Sequence, residues 1–175
     1  MRRDIEDIKQ YQRSNNLVIS GFPKDFDINP YDVVIDIGSQ LKVTISRSDI
    51  DIAHWLRSRR EGAPKSLIVR FVNRWKIEQL KTSKLDHGSL DTKQLGYTCA
   101  TSTIYINDHL SPKMQHLQYQ ARMLKRSKIL SQIWFSKGSL MVKTAEGQEL
   151  RIQEEEDFKV IDGGNTSVAS PVSAV

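Results

Sequence analysis

Cysteine is almost absent from this sequence, and its absence excludes two kinds of protein. Cys99 is the single cysteine among 175 residues. A small secreted domain held by disulfides needs cysteine pairs, and a cysteine-based zinc site needs several thiolate ligands. The sequence therefore predicts an intracellular protein, in a reducing compartment, without a disulfide framework.

Long apolar runs are missing as well. No stretch approaches the roughly 20 apolar residues that a membrane-spanning helix needs. The first residues, Met-Arg-Arg-Asp-Ile-Glu-Asp-Ile, lack the apolar core of a signal peptide. We therefore expect no membrane partner and no secretory route, and we expect the protein in the cytoplasm, the nucleus or both.

The motifs of common enzyme classes are also absent. There is no Walker-type glycine loop, no Gly-x-Ser-x-Gly and no His-Glu-x-x-His, and the four histidines are scattered singly. Asp49 and Asp51 could bind a metal in principle, but a solvated edge strand explains them and no other residue with ligand spacing accompanies them. We therefore predict no catalytic residue, no metal, no cofactor and no small-molecule substrate: the protein is not an enzyme.

Basic charge, in contrast, is abundant and concentrated. The net charge is +5, residues 54–84 carry nine basic side chains against two acidic ones, and residues 101–151 carry eight against three. Such stretches favour a polyanionic partner, and nucleic acid before membrane, because no basic helix with a bulky aromatic face accompanies them. A solvated basic surface without any partner explains the same counts.

The first half of the chain has the pattern of a sheet covered by helices. Asn16–Phe22 and Ser66–Val72 are predicted to be its buried strands, Asp49–Leu56 an edge strand, and Thr103–Asn107 the fourth strand. Helix starts lie between them, at Asn29 with its following proline and at Asn73. This order predicts a split βαβ fold. Residues 86–102 show no period.

A second, smaller unit is predicted to follow. Ser111-Pro112 begins a helix with apolar residues at helical spacing from Met114 to Leu124. A β-hairpin with Gly138 in its turn comes next, and Glu149–Ile152 can add a third strand. Residues 159–175, the Gly, Ser and Val-rich end, are predicted to be a disordered tail.

Residues 1–13 are predicted to be helical, with Ile5 and Ile8 three residues apart among charged side chains. A coiled coil needs several heptads, so this segment is either the end of a coiled coil that begins upstream or a simple helical extension. Ile5 and Ile8 are our candidates for self-association.

Four stretches together resemble the FP-type proteins: Tyr11–Pro23, Asp51–His54, Ser66–Phe71 and Ile104–Pro112. This family comprises the baculovirus few-polyhedra protein and many animal proteins often labelled zinc-finger DNA-binding. It is similar in architecture to the first open-reading-frame proteins of LINE-type retrotransposons. The resemblance covers roughly residues 5–158.

The resemblance implies an α+β architecture in three parts. A coiled coil upstream is followed by an RRM-like domain, here residues 14–107, with a four-stranded antiparallel sheet and two helices. A small FP-type C-terminal domain, here residues 108–158, then contributes a helix and a β-hairpin. The family acts as nucleic-acid-binding particle proteins, which implies a function like that of retrotransposon or nucleic-acid chaperone proteins.

One feature departs from RRM domains that stack bases on two central strands. The solvent-facing positions are predicted to be Val18 and Ser20 on one strand and Ser66 and Ile68 on the other, so we expect no base stacking on the open sheet.

Phosphate contacts are therefore the expected mode of binding. We predict that single-stranded RNA or DNA follows a basic cleft between the two units with weak sequence preference. Trp134 and Tyr105 are alternative stacking platforms, although core packing is preferred for each. The candidate nucleic-acid-binding residues are Arg57, Arg59, Arg60, Lys65, Arg70, Arg122, Lys125, Arg126, Lys128, Lys137 and Lys143.

A protein-assembly module related to the few-polyhedra protein is the alternative. In that case Val18 and Ile68 of the sheet, together with Ile5 and Ile8 of the first helix, would bind protein. The two functions differ in salt dependence, because phosphate binding weakens steeply as salt rises and apolar assembly does not.

Overall fold

The computed structural model describes residues 2–58, 60–136 and 138–163, with side chains from residue 4 to residue 161. It is a mixed α+β structure that divides into two compact units. Residues 11–109 form one unit, the sheet unit; residues 1–10 and the chain from 110 onward form the other, the C-terminal unit. Each unit has its own hydrophobic core.

Helices and strands follow the predicted order closely. The sheet unit contains β1 (Asn16–Phe22), α2 (Pro30–Gln40), β2 (Ile50–Leu56), β3 (Lys65–Phe71), α3 (Arg74–His87), β4 (Leu90–Asp91) and β5 (Thr103–Asp108). Helix α1 (Arg2–Arg13) precedes them, and α4 (Pro112–Arg126), β6 (Leu130–Ser136), β7 (Ser139–Thr144), β8 (Glu149–Ile152) and α5 (Glu156–Gly163) follow.

The sheet unit is built on a five-stranded antiparallel sheet in the order β2-β3-β1-β5-β4. The predicted four strands are present, with β2 at an edge. The prediction of a four-stranded sheet is wrong by one, because β4 pairs Leu90 with Ile104 and Asp91 with Thr103. Two residues are too few to produce a hydrophobic period, so the sequence pattern could not reveal this strand.

Helices α2 and α3 bury their apolar faces in the core of this sheet. As predicted, Asn29 caps α2, its side chain accepting the Tyr31 N–H at 3.0 Å, and Asn73 caps α3, accepting the Trp75 N–H at 2.9 Å. Alternate strand residues fill the other side of that core. The face of the sheet away from the core, called here the open face, carries the intervening residues.

Residues 86–102, which had no period, are held by the fully buried Leu90, by Leu95, Tyr97 and Cys99 packed against the core, and by polar bonds. The buried Thr92 hydroxyl donates to the Ala100 carbonyl at 3.1 Å and accepts the Ser102 N–H at 3.0 Å. The Tyr97 hydroxyl donates to Asp36 at 2.6 Å, and burial, reinforced by Asp36, raises the pKa of Tyr97. Side-chain hydrogen bonds of this kind leave no periodic signature in a sequence.

The C-terminal unit pairs β6, β7 and β8 in an antiparallel sheet against α4. The hairpin and its third strand were predicted and are confirmed. The predicted tail is wrong for residues 159–163, because α5 extends to Gly163. Phe158 and Ile161 are buried at helical spacing, which anchors α5 to the unit. Residues 164–175 lie outside the described residues.

Helix α1 is confirmed, and Ile5 and Ile8 are 50% and 57% exposed on it. Near the end of the same helix, the buried Gln10 side chain accepts the Ser111 N–H at 2.9 Å. Across residues 2–163, apart from the two single-residue gaps, no helix is long and apolar enough to cross a membrane.

Candidate functional site

Helix α4 carries the largest group of exposed cations among the predicted site residues. Ser111 caps it by accepting the Met114 N–H at 3.2 Å, and Pro112 occupies its first position. Leu117 and Ala121 are buried against the sheet of the C-terminal unit. The side that faces solvent displays what we call the α4 basic row. Its members are Arg122, Lys125, Arg126 and Lys128, and all four are exposed.

No carboxylate among the described side chains pairs with this row. Among the side chains that the structure describes, none of its four members forms an ion pair, and Arg126 has only a 4.0 Å contact with the Met123 sulfur. Like charges three and four residues apart destabilise a helix by a few tenths of a kcal/mol per pair. The favourable dipole at the helix C-terminus offsets part of this cost. The row therefore presents charge that its own unit does not use for pairing.

Lys128, the last member of the row, has a strained backbone conformation. It follows α4 with φ of 62°, in the left-handed region that glycine normally occupies at this point of a helix end. The Ile129 N–H donates to Leu124 O and the Lys128 N–H to Lys125 O, both at 3.0 Å, which is the Schellman pattern. A lysine here costs on the order of 1 kcal/mol relative to an unstrained backbone.

The cations of the β-hairpin are less available. Lys143 is half-buried and lies 3.9 Å from Glu149, its register partner on β8. Lys137 lies outside the described residues. On the same side of this sheet as Lys143, a cross-strand row consists of Trp134, Met141 and Arg151.

In the sheet unit, the basic residues predicted to bind nucleic acid between β2 and β3 have different roles. Arg57 and Arg60 are exposed, and Arg59 lies outside the described residues. Lys65 turns inward: its ammonium donates to the Phe26 carbonyl at 2.6 Å and lies 5.0 Å from the Trp55 ring centre. Lys65 therefore holds the segment around Phe26 beside Trp55, a role that the sequence did not indicate.

The open face carries the side chains that were predicted for it. Register aligns His54, Ile68, Val18 and Asn107 in one row across β2, β3, β1 and β5. Arg70 lies exposed on this face, 3.5 Å from Asp51 of the neighbouring strand. No aromatic ring is present on β1 or β3 at these positions, in agreement with the prediction.

An aromatic ring is nevertheless present on the open face. A second row contains Leu56, Ser66, Ser20 and Tyr105, and Tyr105 is 57% exposed. The preference for core packing of Tyr105 is therefore wrong. The alternation of Ile104, Tyr105 and Ile106 along β5 turns the two isoleucines toward the core and the tyrosine outward.

The same correction applies to Trp134. It is half-buried, and its strand neighbours Ile133 and Phe135, not Trp134, pack against the core of the C-terminal unit. Alternation along β6 places Trp134 on the opposite face of that sheet.

The lysines of helix α3, unlike the cations of the α4 basic row, form bonds within the fold. Its three lysines are all half-buried and bonded within the fold. Lys76 donates to the Thr44 carbonyl at 2.6 Å and lies 3.9 Å from Asp49, and Lys81 pairs with Asp108 at 3.0 Å. Lys84 donates to the Gly88 carbonyl at the end of the helix. Much of the basic count of residues 54–84 is thus committed within the fold.

The carboxylates considered for metal binding also have partners. Asp49 accepts the Ser46 N–H at 2.8 Å, which lowers the pKa of Asp49, and Asp51 lies beside Arg70. In the part of the chain that the structure describes, no group of three or more His, Cys, Asp or Glu side chains could hold a metal ion.

Three exposed aromatic residues were not singled out in the sequence, and one of them, Tyr119, is 62% exposed on α4. Tyr11 lies in the last turn of α1 and Trp75 in the first turn of α3, and they are 72% and 66% exposed. Neither belongs to a periodic pattern that would mark it as solvent-facing.

Comparison with known proteins adds no relative: no protein-family model matches this sequence, and no curated protein matches it. The resemblance to the FP-type proteins stays a prediction that rests on the motifs quoted above.

Proposed function

We propose that this protein binds single-stranded RNA or DNA, without enzyme activity, through phosphate contacts that carry little sequence information. The observation that carries the proposal is the α4 basic row, exposed and without a carboxylate partner among the described side chains. Unpaired cations spaced along one helix face can follow a phosphate backbone and release its counterions. Arg57 and Arg60 would add contacts from the sheet unit.

The layout of the sheet unit supports an RRM-like domain in this proposal. Its elements follow the order β1, α2, β2, β3, α3, β5, with β1 and β3 central and all strands antiparallel. Together with the motifs shared with FP-type proteins, this favours a function like that of retrotransposon open-reading-frame proteins or nucleic-acid chaperones. The proposed ligands would place its activity in the cytoplasm or the nucleus.

The experiment is a titration of labelled single-stranded RNA, single-stranded DNA and duplex DNA with the protein, followed by fluorescence anisotropy at several salt concentrations. We expect single strands to bind, with an affinity that falls steeply as salt rises. Absence of binding at low salt would overturn the proposal. Tight binding that salt leaves unchanged would overturn its phosphate basis.

A protein-assembly module is the second candidate, and one observation favours it. The side chains of Ile5 and Ile8 are 50% and 57% exposed, although both are large and apolar. Replacing both by Asp should abolish self-association measured by light scattering if this candidate is right. Oligonucleotide binding by the same variant then reports whether assembly and nucleic-acid binding are separable.

A further inference from the structure

Tyr11, Arg74 and Trp75 lie near the end of β3, where helix α3 begins. The Phe71 N–H donates to the Asn15 carbonyl at 2.9 Å, which brings the chain after α1 against the end of β3. Helix α3 begins three residues later. We call these three side chains the aromatic corner; Tyr105 lies toward the other end of β1, opposite Ser20.

The corner exposes aromatic surface next to a cation. Arg74 places its guanidinium carbon 5.6 Å from the centre of the Tyr11 ring, within the range of a cation–π contact. Tyr11 and Trp75 are the most exposed tyrosine and tryptophan among the described side chains. Single exposed apolar side chains are ordinary, but the Tyr11 ring in contact with Arg74, with the exposed Trp75 next in sequence, concentrates aromatic surface beside a cation.

The charged side chains around the aromatic corner indicate which kind of partner it binds. The exposed Arg70 lies on β3 one residue before its end, and Arg74 begins α3, so two arginines accompany the rings. The nearby carboxylates are Asp51, beside Arg70, Glu78, one turn after Arg74, and Asp7, one turn before Tyr11. Exposed rings that lie beside arginines match the bases and phosphates of a single strand better than they match an apolar protein surface.

We propose that the aromatic corner is a base-stacking site for single-stranded nucleic acid, with bases on Tyr11 and Trp75 and with Arg74 against the strand. The proposal rests on the proposed function and deepens it. It assigns base contact to the corner of the sheet unit and phosphate contact to the α4 basic row. Binding would then need bases, although it would not read a particular sequence, because every base has a face that can stack.

The test compares two ligands with the full chain: an oligoadenylate of about 12 nucleotides and an abasic ribose-phosphate oligomer of the same length. For Trp75→Ala and for Tyr11→Ala we expect affinity for the oligoadenylate to fall about 5-fold to 100-fold. Affinity for the abasic oligomer should stay within about twofold, and the salt slope should not change, because no phosphate contact is lost.

Two controls keep the result specific. Leu85→Ala removes an exposed apolar side chain without a ring, 83% exposed, near the end of α3, and should leave both affinities unchanged. Trp75→Phe keeps an aromatic ring and should retain most of the oligoadenylate affinity. It also removes one of three tryptophans, and we expect it to lose most of the intrinsic-fluorescence quenching that oligoadenylate causes in the wild type.

The outcomes separate this proposal from the proposed function. Equal losses on both ligands, or no loss on the oligoadenylate, would overturn the stacking site while leaving phosphate binding in place. If the wild type binds neither ligand, both proposals are wrong. If Trp75→Ala does not fold, Tyr11→Ala and Trp75→Phe still decide the question.

Discussion

Helices α3 and α4 carry four basic residues each, yet they use them in different ways. The lysines of α3 reach back to carbonyl oxygens and to Asp49 and Asp108. The arginines and the lysine near the end of α4 extend from the surface without a described carboxylate partner. A count of charges along a sequence therefore measures two quantities at once: charge that holds the fold together and charge that a ligand can use.

The largest expected effect is a loss of binding when the α4 charges are reversed. The triple variant Arg122→Glu, Lys125→Glu, Arg126→Glu should weaken oligonucleotide binding by about 100-fold or more, because it removes three phosphate contacts and adds repulsion. Fluorescence anisotropy at low salt measures the change, and thermal unfolding checks that the fold is retained.

The matched control uses exposed lysines outside the two basic stretches. Their triple variant, Lys24→Glu, Lys42→Glu, Lys93→Glu, also changes the net charge from +5 to −1. We expect it to keep most of the affinity, since none of these three lysines is among the predicted nucleic-acid-binding residues. An equal loss in both variants would mean that net charge, and not the row, determines binding.

The next prediction concerns the stability of the fold, with binding as the control. Lys81→Met should lower the free energy of unfolding by about 1 to 2 kcal/mol, because Asp108 loses a partly buried partner at 3.0 Å. Oligonucleotide affinity should stay within about twofold. Arg122→Met should show the opposite, with unfolding changed by no more than about 0.5 kcal/mol and weaker binding. A double-mutant cycle with Asp108→Asn, followed by urea unfolding, isolates the Lys81 pair.

A smaller effect is expected when glycine replaces either of two lysines that have the same backbone geometry. Lys42 after α2 and Lys128 after α4 have φ of 60° and 62°. Changing either to glycine should leave stability unchanged or raise it by up to about 1 kcal/mol, because glycine relieves the left-handed strain. Lys128→Gly alone should also weaken oligonucleotide binding, by a few-fold, as measured by anisotropy. Equal binding by the two variants would exclude Lys128 from the interface.

The smallest effect is a dependence of stability on acid pH. Burial, and then the charge of Arg13, lowers the pKa of His109 below its usual 6.5, and Asn16 donates to the His109 Nδ1 at 3.0 Å. The unfolded chain therefore takes up a proton at a higher pH than the folded one, and stability is lost as pH falls below the usual value. Urea unfolding near pH 7.5 and about pH 5.5 should show a smaller loss for His109→Gln than for the wild type.

Local signals accounted for most of the fold. Asn29, Asn73 and Ser111 have the capping chemistry of helix starts, and β1 has the bounds that its run of apolar residues indicated. The strand β4 could not be predicted because it has only two residues, and the loop around Thr92 could not because side-chain hydrogen bonds leave no periodic pattern in a sequence.

The candidate site was less predictable than the fold. Exposure of the α4 basic row follows from helical spacing, because Leu117 and Ala121 fix which side of α4 is buried. The partners of Lys65 and Lys81 lie 39 and 27 residues away in sequence, so no local pattern separates these lysines from unpaired ones. Tyr105 was predictable from the alternation along β5, whereas the aromatic corner depends on a tertiary contact between Tyr11 and Arg74.

The most direct test of the difference between the two helices is the salt slope of binding. The logarithm of the affinity for a single strand is measured against the logarithm of salt concentration, for the wild type and for Arg122→Ala, Lys125→Ala, Arg126→Ala. Each lost phosphate contact on a single strand should reduce the steepness by about 0.7, so the triple variant should be shallower by about 2. Lys24→Ala, Lys42→Ala, Lys93→Ala should keep the wild-type slope. An unchanged slope in the α4 variant would contradict the account, because its cations would then contact no phosphate.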